Sequence, residues 1–395
     1  MMNPIANRQP VRTYFWNNAK TRSYIVQFLI LALLGWLLLE IIWNTSANLS
    51  RMNQSFGFAF LNKPAGFEVV QSFVSYTSEA SYGRALLVGL LNTVFVSVLC
   101  IVAATAFGFL IGIMRLSRNR LAQLVAGLYI EFFRNVPVLL QIFIWYSLII
   151  LQVLPQPRDA IDFFGIGFLS NRGLVVPRVV FGDGAALALM GSGLAIVAVL
   201  ALCVWARRRH ERTGKRIAVV PTALSILVLL PLAGLAVAGF PVSVEVPVKT
   251  AFNFRGGMFV LPELMALFLA LSIYYATYIA EAVRAGIQSV SHGQTEASQA
   301  LGISRSDSLW KVIIPQAMRV VIPPLISIYL GITKTSSLAV AIGYPDLVAV
   351  GGTVLNQTGK AIEVVTIWMA VYLGLSLLTS LLMNWANARM QLLER

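Results

Sequence analysis

Eight apolar runs of about 20 residues divide the 395-residue sequence, and they restrict the folds open to it. A helix rises about 1.5 Å per residue, so a run of this length crosses the roughly 30 Å hydrocarbon core of a bilayer. Within lipid the backbone must satisfy its own hydrogen bonds, which a helix does. The runs therefore predict an all-α membrane protein with eight spans: Tyr24–Trp43, Arg84–Met114, Val136–Leu154, Ala185–Ala206, Ile217–Phe240, Met258–Ala282, Ala317–Ala341 and Ala361–Met383.

The charged residues agree with a membrane location. They make up 12% of the chain, against about 25% in soluble domains. The net charge of +14 does not indicate nucleic-acid binding, because the basic residues lie in short loops between the spans. If the N-terminus lies inside, 20 of the 30 Lys and Arg fall on that side. The positive-inside rule then predicts cytoplasmic termini and an even number of spans.

The densest basic run, 207–216, joins the fourth and fifth predicted spans. Such a run commonly fixes topology. It could also bind anionic membrane lipids or contact a cytoplasmic partner.

Cysteine and histidine give no sign of a metal centre. Cys100 and Cys203 lie inside apolar runs, and His210 and His292 stand alone in polar loops. Neither pair has the spacing of metal ligands or of a disulfide framework, so we expect no metal and no cofactor.

A glycine-containing stretch, 352–360, superficially resembles a phosphate-binding loop. Six residues separate Gly352 from Gly359 where the loop needs four, and Ala361 replaces the required Ser or Thr. We therefore expect that the chain does not hydrolyse ATP.

A polar segment of about 30 residues, 284–315, lies between two apolar spans. Ala297, Ala300 and Leu301 have the spacing of one face of a short helix. Gly302 permits the left-handed turn that ends such a helix. Ser304 and Asp307 have the spacing of a capping box, which predicts a second helix leading into the membrane.

The same segment resembles the cytoplasmic coupling loop of ABC importer permeases. That signature is Glu-Ala-Ala, three residues, Gly, nine residues and Ile-x-Leu-Pro, and the sequence departs from it only at Ser298, Val312 and Ile314. The resemblance implies that ATPase subunits bind here and that the coupling contacts involve seven residues: Glu296, Ala297, Ser298, Ala300, Leu301, Gly302 and Pro315.

Four further stretches resemble the polar amino-acid branch of these permeases: Asn92–Phe95, Phe133–Gln141, Ile279–Ile287 and Lys334–Leu338. A long insert and three more stretches are similar to the larger permease of the general L-amino-acid importers of Gram-negative bacteria: 155–257, Phe252–Gly257, Gly343–Asp346 and Val350–Gly359. The resemblance implies an inner-membrane heterodimer with a second homologous permease, two cytoplasmic ATPases and a periplasmic amino-acid-binding protein. Two alternatives stay open: an ATP-independent secondary transporter or channel, and an ABC importer of an opine or another amino-acid-like compound.

The spans and the resemblance together predict four parts of the chain. Residues 1–83 hold the N-terminal tail, the first span and a periplasmic loop. Residues 84–154 and 258–395 form the two halves of the permease core, and 155–257 is an insert with two extra spans.

Polar side chains inside spans are costly and often functional, so they are candidates for a substrate path. Ser and Thr also serve in helix packing, which leaves a structural role equally open. The candidates are Asn92, Thr93, Gln141, Tyr274, Tyr278, Lys334, Thr335, Ser336 and Ser337. Thr335 stands where Asn or Asp is commoner in the family.

Two of these expectations concern charged groups. Lys334 follows Pro323-Pro324, which predicts an interrupted span with a cation that a carboxylate could approach. Glu281 and Arg284 are three residues apart and are predicted to pair.

Overall fold

The computed structural model describes residues 19–51, 56–182, 186–213, 219–237, 239, 242–250 and 252–390. The predictions that fall on residues 1–18, 52–55, 183–185, 214–218, 238, 240–241, 251 and 391–395, including the outer bounds of the fourth and fifth predicted spans, lie outside this part of the chain. The described helices, in chain order, are α1 (Ala19–Arg51), α2 (Tyr82–Arg115), α3 (Arg120–Asn135), α4 (Val138–Phe143), α5 (Ala186–Thr213), α6 (Val219–Val237), α7 (Pro262–Gln288), α8 (His292–Ala300), α9 (Arg305–Ser308), α10 (Ile314–Thr335), α11 (Leu347–Thr358) and α12 (Ala361–Met390).

Five of the described helical segments are long and apolar enough to cross a membrane. They contain α1, α2, α7, the α9–α10 segment and α12. A sixth span is possible if α3 and the helix after it count as one bent pair. The fourth and fifth predicted spans appear as α5 and α6, whose apolar parts Met190–Ala206 and Pro221–Val237 are shorter. The helical membrane class is thus confirmed, and the count of eight stays a prediction.

The core forms where α2, α7 and α10 pack together. Gly108 and Gly112 on α2 are four residues apart and lie against α7. A Cβ on Gly108 would come within 2.5 Å of Ile279, so only glycine allows this approach. Gly286 allows α7 to approach Val321 of α10 in the same way. Small residues of the second span therefore lie at its contact with α7.

The third predicted span begins at Pro137, after a break that separates it from α3. Helix α4 continues as a π-helical segment, Ile144–Val153, and its axis is bent by 101° from α3. Val136 is extended, as expected before a proline, and therefore ends α3. The Gln141 side-chain amide donates to the carbonyls of Phe133 and Val136, at 2.8 and 3.0 Å. It thus satisfies two backbone groups that the break leaves unpaired.

The seventh predicted span differs from the expectation. Pro323 and Pro324 do not interrupt it, because α10 runs through both to Thr335. Proline fixes a backbone angle that suits a helix, and membrane helices tolerate the missing hydrogen bonds. The backbone changes instead at Ser336, where a 3₁₀ helix, Ser336–Ile342, takes over.

Short strands occupy segments between the third and fourth predicted spans and between the fifth and sixth, and the last strand takes the start of the sixth. They are β1 (Ile161–Phe163), β2 (Gly167–Ser170), β3 (Gly173–Val176), β4 (Arg178–Phe181), β5 (Val242–Glu245), β6 (Val248–Lys249), β7 (Phe254–Arg255) and β8 (Met258–Val260). They pair antiparallel as β1-β2-β3-β8, β4-β5 and β6-β7.

The sixth predicted span consequently begins later than expected. Met258 pairs with Val176 in the sheet, and the helix starts at Pro262. Proline suits the first turn of a helix because the amide there needs no partner.

Candidate functional site

The polar segment 292–308 folds as a helix, a turn and a helix, here named the hook. Helix α8 ends at Ala300 with Leu301 as its C-cap, and Gly302 has φ +71°. The Ile303 amide donates to the Ser298 carbonyl at 3.0 Å, and the Gly302 amide donates to the Gln299 carbonyl at 2.9 Å. These two bonds are those of a Schellman motif, so the turn has a defined geometry. The predicted glycine turn is confirmed.

The second arm of the hook starts at Ser304. Its hydroxyl accepts the Asp307 amide at 3.1 Å and donates to the Asp307 carboxylate at 2.9 Å. Lys311 forms a 2.6 Å ion pair with the same carboxylate. From α9 the chain continues through a π-helical turn, Leu309–Ile313, into α10. Helix α9, the second arm of the hook, is therefore also the first part of a helical segment of 38 residues, Arg305–Ile342, here named the rod.

The first arm is held to the rod and leaves its outer face bare. Gln316 at the start of α10 donates to the Gln294 side chain at 3.2 Å. Ser298 is buried, and its hydroxyl donates to the Gln294 carbonyl at 2.7 Å. Ala297 and Ala300 are exposed, and Leu301 at the turn is 78% exposed.

Of the two remaining coupling candidates, Glu296 lies on α8 and Pro315 lies on α10. Glu296 is exposed and pairs with His292 at 3.0 Å along α8. Pro315 lies in the first turn of α10, where its lack of an amide proton costs nothing. Six of the seven candidates thus lie on the helix and turn, and Pro315 lies on the rod.

Three path candidates meet around tyrosines of α7. The hydroxyls of Tyr274 and Tyr278 are 2.8 Å apart, and the Tyr275 hydroxyl is 2.6 Å from Thr335 on α10. The Arg134 guanidinium lies 5.2 Å from the centre of the Tyr278 ring. Tyr274, Tyr275, Tyr278 and Arg134 are named the tyrosine cluster. It places a cation and several hydroxyls beside the break between α3 and α4.

Three other candidates lie in a separate buried group. The Asn92 amide donates to the carbonyls of Gln71 and Pro345, at 2.9 and 2.8 Å. The Thr93 hydroxyl accepts the Leu347 amide at 3.0 Å, and Ser336 is 3.4 Å from Ser97. These contacts join α2 to the loop before α11.

That loop contains a buried carboxyl group. Asp346 accepts the Ala349 amide at 2.8 Å and so caps α11. Burial raises the pKa of Asp346 to about 7, although hydrogen bonds from backbone amides at the start of the helix act to lower it.

The last three path candidates lie apart from both groups. Gln141 supports the break described above. Lys334 is exposed in the last turn of α10, and the Ser337 hydroxyl donates to the Lys334 carbonyl at 2.7 Å.

Glu281 and Arg284 form the predicted pair at 2.7 Å.

Two members of the tyrosine cluster were not selected as candidates from the sequence. Tyr275 lies in the same span as Tyr274 and Tyr278, and its 2.6 Å contact with Thr335 on another helix is what places it in the cluster. Arg134 was treated as a topology signal and as part of a family-like stretch. Its signal was a charged residue three positions before a proline that begins an apolar run.

A bundle of apolar helices of membrane-spanning length, with a broken helix pair and an ordered polar hook, defines the class of multi-pass membrane proteins. Residues 191–392 match the family of binding-protein-dependent transport system inner membrane components, and the chain belongs to this family. It is 50% identical to the general L-amino acid transport system permease protein AapQ of Rhizobium johnstonii, over 95% of this chain and 94% of that one. It is 47% identical to the putative amino-acid ABC transporter permease protein YhdX of Escherichia coli, over 96% of both chains.

The chain is 37% identical to the permease protein BztB of a glutamate/glutamine/aspartate/asparagine transport system in Rhodobacter capsulatus, over 96% of both chains. The crystal structure of an amino acid ABC transporter with histidines has a TM-score of 0.46 and 21% identity, over 78% of this chain and 95% of that one. The relatives confirm the resemblance that the sequence motifs predicted.

Proposed function

We propose that the chain is the permease subunit of an ATP-driven importer that carries L-amino acids across the inner membrane. Three long relatives bear the names of amino-acid permeases, and they match almost the whole chain. The observation that carries the mechanism is the hook, a defined turn with a bare apolar tip that is continuous with a membrane rod. Both termini and the hook lie in the cytoplasm in this proposal.

In this proposal the chain forms part of the substrate path and changes its conformation during transport, and partner subunits hydrolyse ATP. The exposed Ala297, Ala300 and Leu301 enter a groove on an ATPase, where their small or apolar side chains allow close contact. When nucleotide binding closes the ATPases, the hook moves with them and the rod transmits the displacement into the core. A second homologous permease completes the membrane path, and a periplasmic binding protein delivers the amino acid.

The direct test is reconstitution. The full chain, its ATPase, its second permease and its binding protein are placed in proteoliposomes, and uptake of radiolabelled amino acid is measured with and without ATP. We expect uptake only with ATP and all subunits. Uptake by the purified chain alone, without ATP, would instead identify a secondary transporter or channel. Competition with a panel of amino acids and opines decides between the two cargo classes.

We further propose that the substrate carboxylate passes the tyrosine cluster. Arginine presents several donors in a plane that matches a carboxylate, and the Tyr278 ring beneath it keeps the guanidinium in place. We expect Arg134→Gln to raise the KM for uptake about tenfold or more, as for the loss of one charge-assisted hydrogen-bonded pair. Arg134→Lys should recover part of the loss. An unchanged KM in Arg134→Gln would contradict this role.

Lys334 is the second cation proposed for the path. Because it is exposed in the last turn of α10, Lys334→Met should leave the fold intact and lower uptake. Lys63→Met removes an exposed lysine in a loop before α2 and serves as the matched control. Equal uptake in the two variants would remove Lys334 from the path.

A further inference from the structure

A basic cavity lies at the hook end of the core. It has a volume of about 680 Å³ and is bounded by α2, α3 and α7. Arg115 and Arg120 come from the connection between α2 and α3, and Arg284 comes from α7. Glu131 is the one acidic residue among its lining side chains. The lining therefore carries a net positive charge.

The wall of this cavity is built around a glycine. A Cβ on Gly127 would collide with the Arg115 guanidinium, so the absence of a side chain on α3 lets Arg115 lie across the helix. Arg284 is fixed by the Glu281 carboxylate at 2.7 Å and by the Gln288 side chain at 2.6 Å. Arg284 is thus held in place at the cavity, and the Arg115 guanidinium lies against Gly127 of α3.

An apolar stripe leads away from the cavity along α3. Leu124 and Leu128 line the cavity, and Phe132 continues the same face one turn further on. These side chains are 58%, 60% and 64% exposed. The positive cavity and the apolar stripe are therefore contiguous, and they match a ligand with an anionic head and an apolar tail.

We propose that this cavity binds the phosphate of an anionic phospholipid from the leaflet at the hook end, with one acyl chain along the stripe of α3. A soluble phosphate would use the arginines and leave the stripe uncovered. Basic pockets between membrane helices are suited to lipid head groups, and each nearby Lys or Arg strengthens the attraction. The proposal does not depend on which solute the permease carries.

Native mass spectrometry of the detergent-solubilised full chain tests the site with phosphatidylglycerol and phosphatidylcholine as probes. We expect tighter binding of phosphatidylglycerol, and a loss of about fivefold for each of Arg115→Gln and Arg120→Gln. Arg118→Gln is the matched control, because it removes an exposed arginine of the same loop that does not line the cavity. Equal binding of the two lipids by the unmodified chain, or an equal loss in the control, would overturn the proposal.

A second variant changes the geometry without changing the charge. Gly127→Val displaces the flexible end of Arg115 and should lower phosphatidylglycerol binding about as much as Arg115→Gln does. Gly374→Val, at a glycine with open space around it, should leave binding unchanged. Full binding by Gly127→Val would refute the role of Arg115.

Two competition experiments separate this ligand from other occupants. Glycerol phosphate should not displace the lipid, because it lacks the acyl chain; displacement at equal concentration would assign the cavity to a soluble anion. The assembled transporter should retain the bound lipid. Its loss on assembly would instead make the stripe an interface with another subunit.

Discussion

Gly302→Pro is expected to lower ATP-driven uptake strongly while the chain still reaches the membrane. Proline fixes φ near −65°, whereas Gly302 has φ +71°, and its amide donates to Gln299. The substitution removes both the left-handed turn and one bond of the Schellman motif. A native conformation that the new residue cannot adopt costs more than about 1 kcal/mol. The hook should therefore adopt another turn, and we expect uptake to fall about tenfold or more.

A conservative variant at the same position supplies the control. Asparagine adopts left-handed angles more readily than other residues with a side chain, and space around Gly302 is open. Gly302→Asn should thus retain most of the uptake. Uptake and ATP hydrolysis are measured on the reconstituted complex. Full ATP-driven uptake by Gly302→Pro would defeat the coupling role of the hook.

Leu301→Asp should disrupt docking of the ATPase and leave the permease folded. Leu301 is 78% exposed, so the isolated chain loses little packing. In the proposed complex the side chain enters a groove, where an unpaired carboxylate is poorly tolerated. A loss of about 2 kcal/mol at a central contact weakens binding about thirtyfold.

Copurification and titration of the ATPase measure this effect. Leu301→Met keeps an apolar side chain of similar volume and should bind almost normally. The aspartate variant should elute from size-exclusion chromatography like the unmodified chain when the ATPase is absent. If the aspartate variant binds the ATPase as tightly as the methionine variant, the tip of the hook is not the docking surface.

Local signals made the hook predictable from sequence. Gly302 and the Ser304–Asp307 spacing act within a few residues of themselves, so their turn and cap do not depend on distant packing. The pair of Glu281 and Arg284 is local in the same sense. The structure reproduces the turn, the cap and the pair.

Long-range contacts account for what the sequence did not predict. Met258 belongs to a strand because β3 lies beside it, and its own apolar neighbours indicate only a buried segment. Pro323 marks a break by local rules, but packing in the core keeps α10 continuous. Arg134 on α3 meets the tyrosines of α7 in the tyrosine cluster, and Tyr275 reaches Thr335 of α10. Spacing along one helix does not reveal such contacts between helices.

The side chain of Gln141 has a mechanical consequence for the sharp bend between α3 and α4. One amide group clasps carbonyls on the incoming side of the bend, and Gln141 itself belongs to the outgoing helix. The side-chain amide of Gln141 therefore bridges the bend and limits changes in its angle. We expect the two arms of the bend to swing together as one piece, so that any shape change during transport is taken up at the joints around them.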